Sequence, residues 1–369
     1  MIKNNDKISE NQTTILLFTT ILGAGILSLS SDVAQSAGPD SLIALLLGGI
    51  IALFFARLIG HIASKFPTET FVEYSAKLVT KPVSVIISII LTGYFLIFVS
   101  LDLRIFADVS KAYLLNNTPV EIIILTLMFT SGYVVRYGIE PISRMSEILF
   151  PIMVIPLLLI FLPSIADVDL SNFLPILRTP PLELLKGILN TTYSFVGFEI
   201  LYVIFPYINK GEKLKKCINV SFAAIILFYM YITFYVIGIF GYKETRLQLW
   251  PLLTVIKSIN FPGFFIESLE SLVIAIWTFA VFTTISAFQY AAVLSISKLI
   301  KAREHTYLVL PTIPIIYLMA LIPDSIVEAY KFVKYVSDYL ALFFIIILPI
   351  LLYILMKIKN KEGKNNENN

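Results

Sequence analysis

The sequence predicts an all-α integral membrane protein of ten transmembrane helices, built as two inverted repeats of five. Three observations predict it. Apolar residues make up 57% of the 369 residues and charged residues only 14%, against about 25% charge in a soluble chain. The apolar residues fall into ten long blocks, most near the ~20 residues that cross a ~30 Å hydrocarbon core. The first and sixth blocks, each the first of five, are interrupted by glycine, and matched interruptions in two halves point to an inverted-repeat transporter fold. This balance excludes a soluble enzyme, a nucleic-acid module and a disordered chain. The net charge of +3 is too small to argue for a polyanion partner. A single cysteine, Cys217, excludes a disulfide framework, and His61 and His305 lie too far apart in sequence for a His-rich metal motif. No cofactor motif is present.

The blocks run 13–36, 41–63, 83–107, 120–137, 142–162, 182–207, 218–240, 264–299, 307–322 and 335–356. The eighth is longer than an upright crossing needs, so it tilts or extends beyond the bilayer. The fourth and ninth are short, and the ninth contains Pro311 and Pro314. One domain, 13–356, therefore holds repeat one at about 13–162 and repeat two at about 182–356. The polar segment 1–12 lacks the basic, apolar and small-residue pattern of a cleavable signal. The Lys/Asn-rich tail 357–369 is expected to be disordered.

Placing the N-terminus inside puts 19 of the 28 lysines and arginines on the inner side, so the positive-inside rule places both termini in the cytoplasm, as an even number of spans requires. Between blocks two and three, Phe71, Tyr74 and Leu78 stand at helical spacing, and a helix along the membrane surface is expected. Between blocks seven and eight, Trp250-Pro251-Leu252-Leu253 reads either as an interfacial cap over an outer vestibule or as a Trp-anchored loop.

Block one reads Ile21-Leu22-Gly23-Ala24-Gly25-Ile26-Leu27, and block six reads Tyr193-Ser194-Phe195-Val196-Gly197-Phe198-Glu199. Each mid-span glycine weakens the helix by about 1 kcal/mol relative to alanine and permits close backbone approach. Close helix packing is the plain alternative. If the helices unwind, half-helix N-termini present N–H groups to an anion and freed carbonyls suit an ammonium, so both ends of an α-amino acid find partners. Glu199 is an intramembrane carboxylate, and hence a functional candidate; cavity-facing and helix-end hydrogen-bonding roles both remain open. Asp102 and Arg104, late in block three, read as paired with each other or across helices. Thr283, Ser286 and Tyr290 share a hydroxyl-bearing face of block eight. No P-loop, HExxH, GxSxG or Ser/His/Asp pattern is present, so no catalytic residue is assigned.

Further motifs carry a family resemblance: Ile8-Ser9-Glu10-Asn11-Gln12; the glycine stretch of block one; Arg136-Tyr137-Gly138-Ile139-Glu140; Arg144-Met145-Ser146-Glu147-Ile148-Leu149-Phe150-Pro151; Gly197-Phe198-Glu199; Phe205-Pro206-Tyr207-Ile208-Asn209-Lys210; and Glu267-Ser268-Leu269-Glu270 followed by Trp277. In this order, nearly end to end, they resemble the B subunits of GerA-type spore germinant receptors. That family belongs with the amino acid–polyamine–organocation transporters and their LeuT-like fold. The chain departs from it near Ser30, where a proline is usual, near Leu42, where an aromatic is usual, and at Ser268, where the family often has arginine. The resemblance implies an inner spore membrane protein that binds a small nutrient, with an A-type membrane subunit and a lipoprotein C subunit as partners and no nucleic acid. It implies a pocket lined by Gly23, Ala24 and Gly25, by Phe195, Gly197 and Glu199, and by Ser286 and Tyr290. Some proton-coupled relatives place a lysine in mid-span five; this chain has none between Ile142 and Leu162. Three readings follow: a germinant-sensing receptor subunit, an ion-coupled amino acid transporter, or a scaffold whose glycines serve packing alone.

Overall fold

A computed structural model describes residues 6–259 and 269–367. Glu267 and Ser268 therefore lie outside the described residues. Among the described residues the fold is all-helical, and its helices lay out the ten spans expected from the sequence, six of them long and apolar enough to cross a membrane by length and composition. Span one is split into Glu10–Leu22, one 3-10 turn at Ala24–Leu27, and Leu29–Ala37. Span two is Ser41–Ser64, span three Lys81–Tyr113, span four Val120–Val135 and span five Ile139–Phe161. Span six is split into Pro181–Asn190, Thr192–Phe195 and a tight turn at Phe198–Ile200 leading into Leu201–Ile204. Spans seven to nine are Leu214–Thr245, Leu269–Leu299 and Thr306–Ala320. Span ten opens with Ile326–Tyr335, passes through π-helical turns at Val336–Ala341 and Phe343–Ile347, and continues as Leu348–Glu367.

Span ten starts about two turns earlier than its hydropathy suggests. Ile326–Tyr335 is amphipathic, with Glu328, Lys331 and Lys334 masking its apolar face, and Ser325 caps it by accepting from the Glu328 N–H. The final helix runs to Glu367, into the stretch expected to be disordered. Phe71–Leu78 is a helix, as its spacing suggests. Its Phe71, Tyr74 and Leu78 are buried against the bundle, with Phe71 edge-on to Tyr202 of span six.

Span eight packs along span three, and span one lies against spans five, seven and eight. The face that carries both termini also carries the connections after spans two, four, six and eight. There the resembling motifs clasp one another. Ser9 and Gln12 form a capping box at the start of span one. The Ile8 N–H donates to Tyr207 O (2.8 Å), and the Asn209 N–H donates to Ile8 O (3.0 Å). Glu10 pairs with Lys213 (2.7 Å) and Lys210 (3.4 Å). Asp6 accepts from the Ile139 N–H (3.1 Å), which Gly138 permits because a Cβ there would collide with the Asp6 carboxylate.

The lysine ammonium groups hold the Glu10 carboxyl below its usual value of 4.5, with the Lys213 hydrogen bond the largest cause. A depressed carboxylate stabilises the fold above the unfolded pKa and loses that contribution as pH falls through the folded one. The clasp therefore weakens as pH falls below about 4.5. Between pH 7 and pH 4 the Tm of the wild-type chain in detergent is expected to fall further than that of Glu10→Gln. Equal falls would show that the pair contributes nothing.

Candidate functional site

Both predicted breaks are present, and they touch. The inner helix of span one ends at Leu22, and Gly23 turns out of it at φ 17°, ψ −149°. The carbonyls at such an end have no intrahelical partner. Here side chains of spans seven and eight supply partners. The Thr284 hydroxyl lies 3.0 Å from Thr19 O and 3.3 Å from Thr20 O. The Tyr229 hydroxyl lies 2.9 Å from both Ile21 O and Ser194 O, joining the two breaks. The Trp277 Nε1–H donates to Gly23 O (3.1 Å). In this closed arrangement, carbonyls expected to face a ligand are held by protein.

In span six, Gly197 adopts φ 137°, ψ −31°. A Cβ there would lie 2.7 Å from Thr20 O and 2.9 Å from Ile21 N, and one at Gly25 would lie 2.9 Å from Ser194 Cα. The glycines thus allow backbone to pack on backbone. Glu199 is fully buried; it accepts from the Gly197 N–H (2.8 Å) and from the Tyr94 hydroxyl (2.5 Å). In this arrangement its hydrogen bonds are those of a carboxylate at the start of the half-helix that follows the break.

Asp102, which the sequence reads as a pairing residue, lies beside the first break. Arg104 does not pair with it; the guanidinium Nε sits 2.9 Å from Asp108 Oδ2 instead. The buried Asp102 carboxylate points at the first break, with Oδ2 3.5 Å from where a Gly23 Cβ would stand. It lines a narrow void of about 10 Å³ with Phe98 and Leu101 of span three, Val196 of span six, and Val333 and Ser337 of span ten. A wider vestibule of about 390 Å³ opens on the opposite face from the termini, between Ser28 and Asp32 of span one, Asn190 of span six and Tyr330 and Lys334 of span ten. Residues 246–249 wall it, and the Trp250 indole N–H donates to the Tyr330 hydroxyl (3.0 Å). Val333 and Ser337 line both spaces and form the partition between them.

Gly23, Gly25, Gly197 and Glu199 thus meet at one place, with the Ala24 backbone in the connecting turn. Phe195 is buried beside them, but it stacks obliquely on Tyr229 and lines a separate apolar cavity between spans two, six and ten. Ser286 and Tyr290 are not brought to the breaks. Ser286 lies two residues beyond Thr284, on the opposite side of the helix, and approaches Ser131 of span four at 3.2 Å. Tyr290, one turn further on, packs against Tyr207 and His305 toward the termini.

The sequence model of a family described as "Spore germination protein" matches residues 7–329. Spore germination protein YndE of Bacillus subtilis (strain 168) is 31% identical over 365 residues, covering 99% of this chain and 100% of that protein. Spore germination protein A2 of the same organism is 28% identical, covering 96% and 97%. Among solved structures, MhsT in complex with L-phenylalanine aligns over 94% of this chain and 97% of its own, with a TM-score of 0.67 at 14% identity. At that identity the likeness shows the fold alone.

Proposed function

The chain belongs to the family of spore germination proteins, and from that premise we propose that it is the nutrient-binding membrane subunit of a germinant receptor. As a member of that family it is a membrane protein of nutrient-receptor or permease type, and not an enzyme. In our reading it sits in the inner spore membrane with both termini cytoplasmic, beside an A-type membrane subunit and a lipoprotein C subunit. It binds a small α-amino acid at the unwound centres of spans one and six.

The observation that carries this reading is the Asp102 carboxylate aimed at the Gly23 break, in a void otherwise apolar apart from Ser337. A buried anion suits the ammonium of an amino acid, and the close Val196, Val333 and Ala341 walls suit a small aliphatic side chain. The present void holds about one water, so ligand entry requires span ten to withdraw. Its π-helical turns at Val336–Ala341 fall at this wall, and such turns recur at functional sites. A ligand accommodated only after withdrawal favours that state by its differential affinity. The motion reaches partners through the clasp that joins the start of span one to the end of span six.

A calorimetric titration of purified receptor complex with glycine, L-alanine and L-valine tests the assignment. Asp102→Asn is expected to weaken binding by roughly tenfold or more, since a hydrogen bond to a buried charge is worth roughly 1.5–3 kcal/mol. Unchanged affinity in Asp102→Asn removes the ammonium anchor from the site. The second reading is an ion-coupled amino acid transporter, favoured by the paired breaks in spans one and six, an arrangement that recurs in inverted-repeat transporters. Gradient-driven uptake of labelled amino acid into proteoliposomes would select it.

A further inference from the structure

On the face that carries the termini, a cavity of about 750 Å³ opens between spans two, seven and ten. Its volume falls within the roughly 300–1,000 Å³ of ligand clefts. Its walls divide by chemistry. Arg57, His61 and Lys215 supply cationic or basic groups, while Phe54, Ile218 and Ile350 supply apolar ones. Phe54 is 60% exposed and Ile350 39%, so these apolar walls face lipid in a membrane protein. Glu212 is the one carboxylate that lines the cavity.

Arg57 is the informative residue. It lies seven positions before the end of Ser41–Ser64, about 10 Å inside that end at ~1.5 Å per residue. Its guanidinium Nε donates to Asn219 Oδ1 (2.7 Å). Among the described residues, no carboxylate lies within 4 Å of Arg57, His61 or Lys215. A cation at that depth is costly without a counter-charge, and a guanidinium fork matches phosphate geometry. A further cation stands beside the cavity: Lys357 Nζ lies 4.7 Å from the ring centroid of Tyr353, and Tyr353 lines the cavity and faces His61. The cavity thus places long basic side chains, able to reach toward the headgroups, above walls suited to acyl chains.

We propose that this cavity is a binding site for one anionic phospholipid, its phosphate held by Arg57 and Lys215 and its chains against Phe54 and Ile350. Cationic pockets between transmembrane helices on the cytoplasmic side recognise such headgroups. Free phosphate shares the headgroup chemistry, but it gains nothing from the apolar walls. A partner's helix would have to bring a carboxylate into the bilayer to satisfy Arg57.

The test titrates the purified full-length chain in detergent with phosphatidylglycerol, phosphatidylcholine or inorganic phosphate, followed by native mass spectrometry and thermal unfolding. One retained phosphatidylglycerol, with a raised Tm, is expected. Phosphatidylcholine and the Arg57→Gln/Lys215→Gln variant are expected to weaken retention by at least about tenfold, and Arg57→Lys/Lys215→Arg to keep most of it. If the glutamine pair does not fold, Lys215→Gln alone, at an exposed position, is expected to lower retention measurably. Equal retention of the two lipids, or no change in the glutamine variants, overturns the proposal. So does protection by inorganic phosphate as strong as that by lipid, or replacement of the lipid by a co-purifying partner chain.

Discussion

Gly197→Ala is expected to deplete folded chain from the membrane and, with it, the response to nutrient. Two costs coincide at this residue. Its φ of 137° with ψ −31° lies outside the regions open to residues with a Cβ, a strain of roughly 1–3 kcal/mol. The added methyl would also meet backbone on the facing segment, 2.7 Å from Thr20 O and 2.9 Å from Thr20 C and Ile21 N. Backbone cannot rotate aside as a side chain can, so overpacking adds roughly another 1–3 kcal/mol. The sum is a large share of a total stability of about 5–15 kcal/mol. Gly49→Ala provides a contrast. Its Cβ would lie 2.5 Å from Ile226 Cγ1, 2.7 Å from Ile226 Cδ1 and 3.0 Å from Phe195 Cζ, so side chains rather than backbone must move aside. Gly93→Ala meets nothing within 4 Å and is expected to be neutral or to stabilise by roughly 0.5–1 kcal/mol. Membrane abundance and detergent Tm should rank Gly93→Ala above Gly49→Ala, and both well above Gly197→Ala. A Gly197→Ala chain with wild-type Tm would show that the two breaks do not need to touch.

A glycine in an apolar block also serves close packing, as Gly48, Gly49 and Gly60 do inside continuous span two, so the breaks were legible because two interrupted blocks stood at matching places in the two halves. Six of the spans were legible from length and hydropathy alone, while the short spans four and nine and the split spans one and six were legible only as members of a repeat. The partners of the breaks were not. Thr284 and Ser286 are equally hydroxylic in the sequence, and only the rotation of span eight decides that Thr284 meets Thr19 and Thr20 while Ser286 meets Ser131. Tyr229 and Trp277, which hold Ile21 O and Gly23 O, read as ordinary apolar-block aromatics. Their N–H and O–H partners are set by tertiary packing that no local pattern records. Asp102 is different, because a usable signal was present. Residues two apart on a helix do not face each other, so Arg104 had to look to Asp108, four residues on, leaving Asp102 on the inward side. The amphipathic start of span ten hid from hydropathy for a related reason: it lines a polar vestibule rather than lipid.

Substitution of Glu199, the buried carboxylate beside the second break, is the second change expected to act strongly. Its two oxygens serve two buried donors, the Gly197 N–H and the Tyr94 hydroxyl, which ties span three to the half-helix that starts after the break. Glu199→Leu orphans both donors at roughly 1–3 kcal/mol each and is expected to lower Tm sharply. Glu199→Gln keeps one acceptor oxygen for the Gly197 N–H and turns its N–H₂ to the Tyr94 hydroxyl, which can accept, but it gives up the charge-assisted bonds, so its loss should be intermediate. Tyr94→Phe removes one donor and leaves the Gly197 bond, and should cost least. In the Glu199→Gln/Tyr94→Phe double variant the buried amide N–H₂ loses the hydroxyl that accepts from it, so the loss should exceed the sum of the two single ones. A positioning role places these effects in ligand-free Tm, with affinity changed little in the folded fraction. If Glu199→Gln instead leaves Tm untouched and abolishes amino acid binding, Glu199 is a ligand contact and the ammonium anchor assigned to Asp102 has to be reassigned.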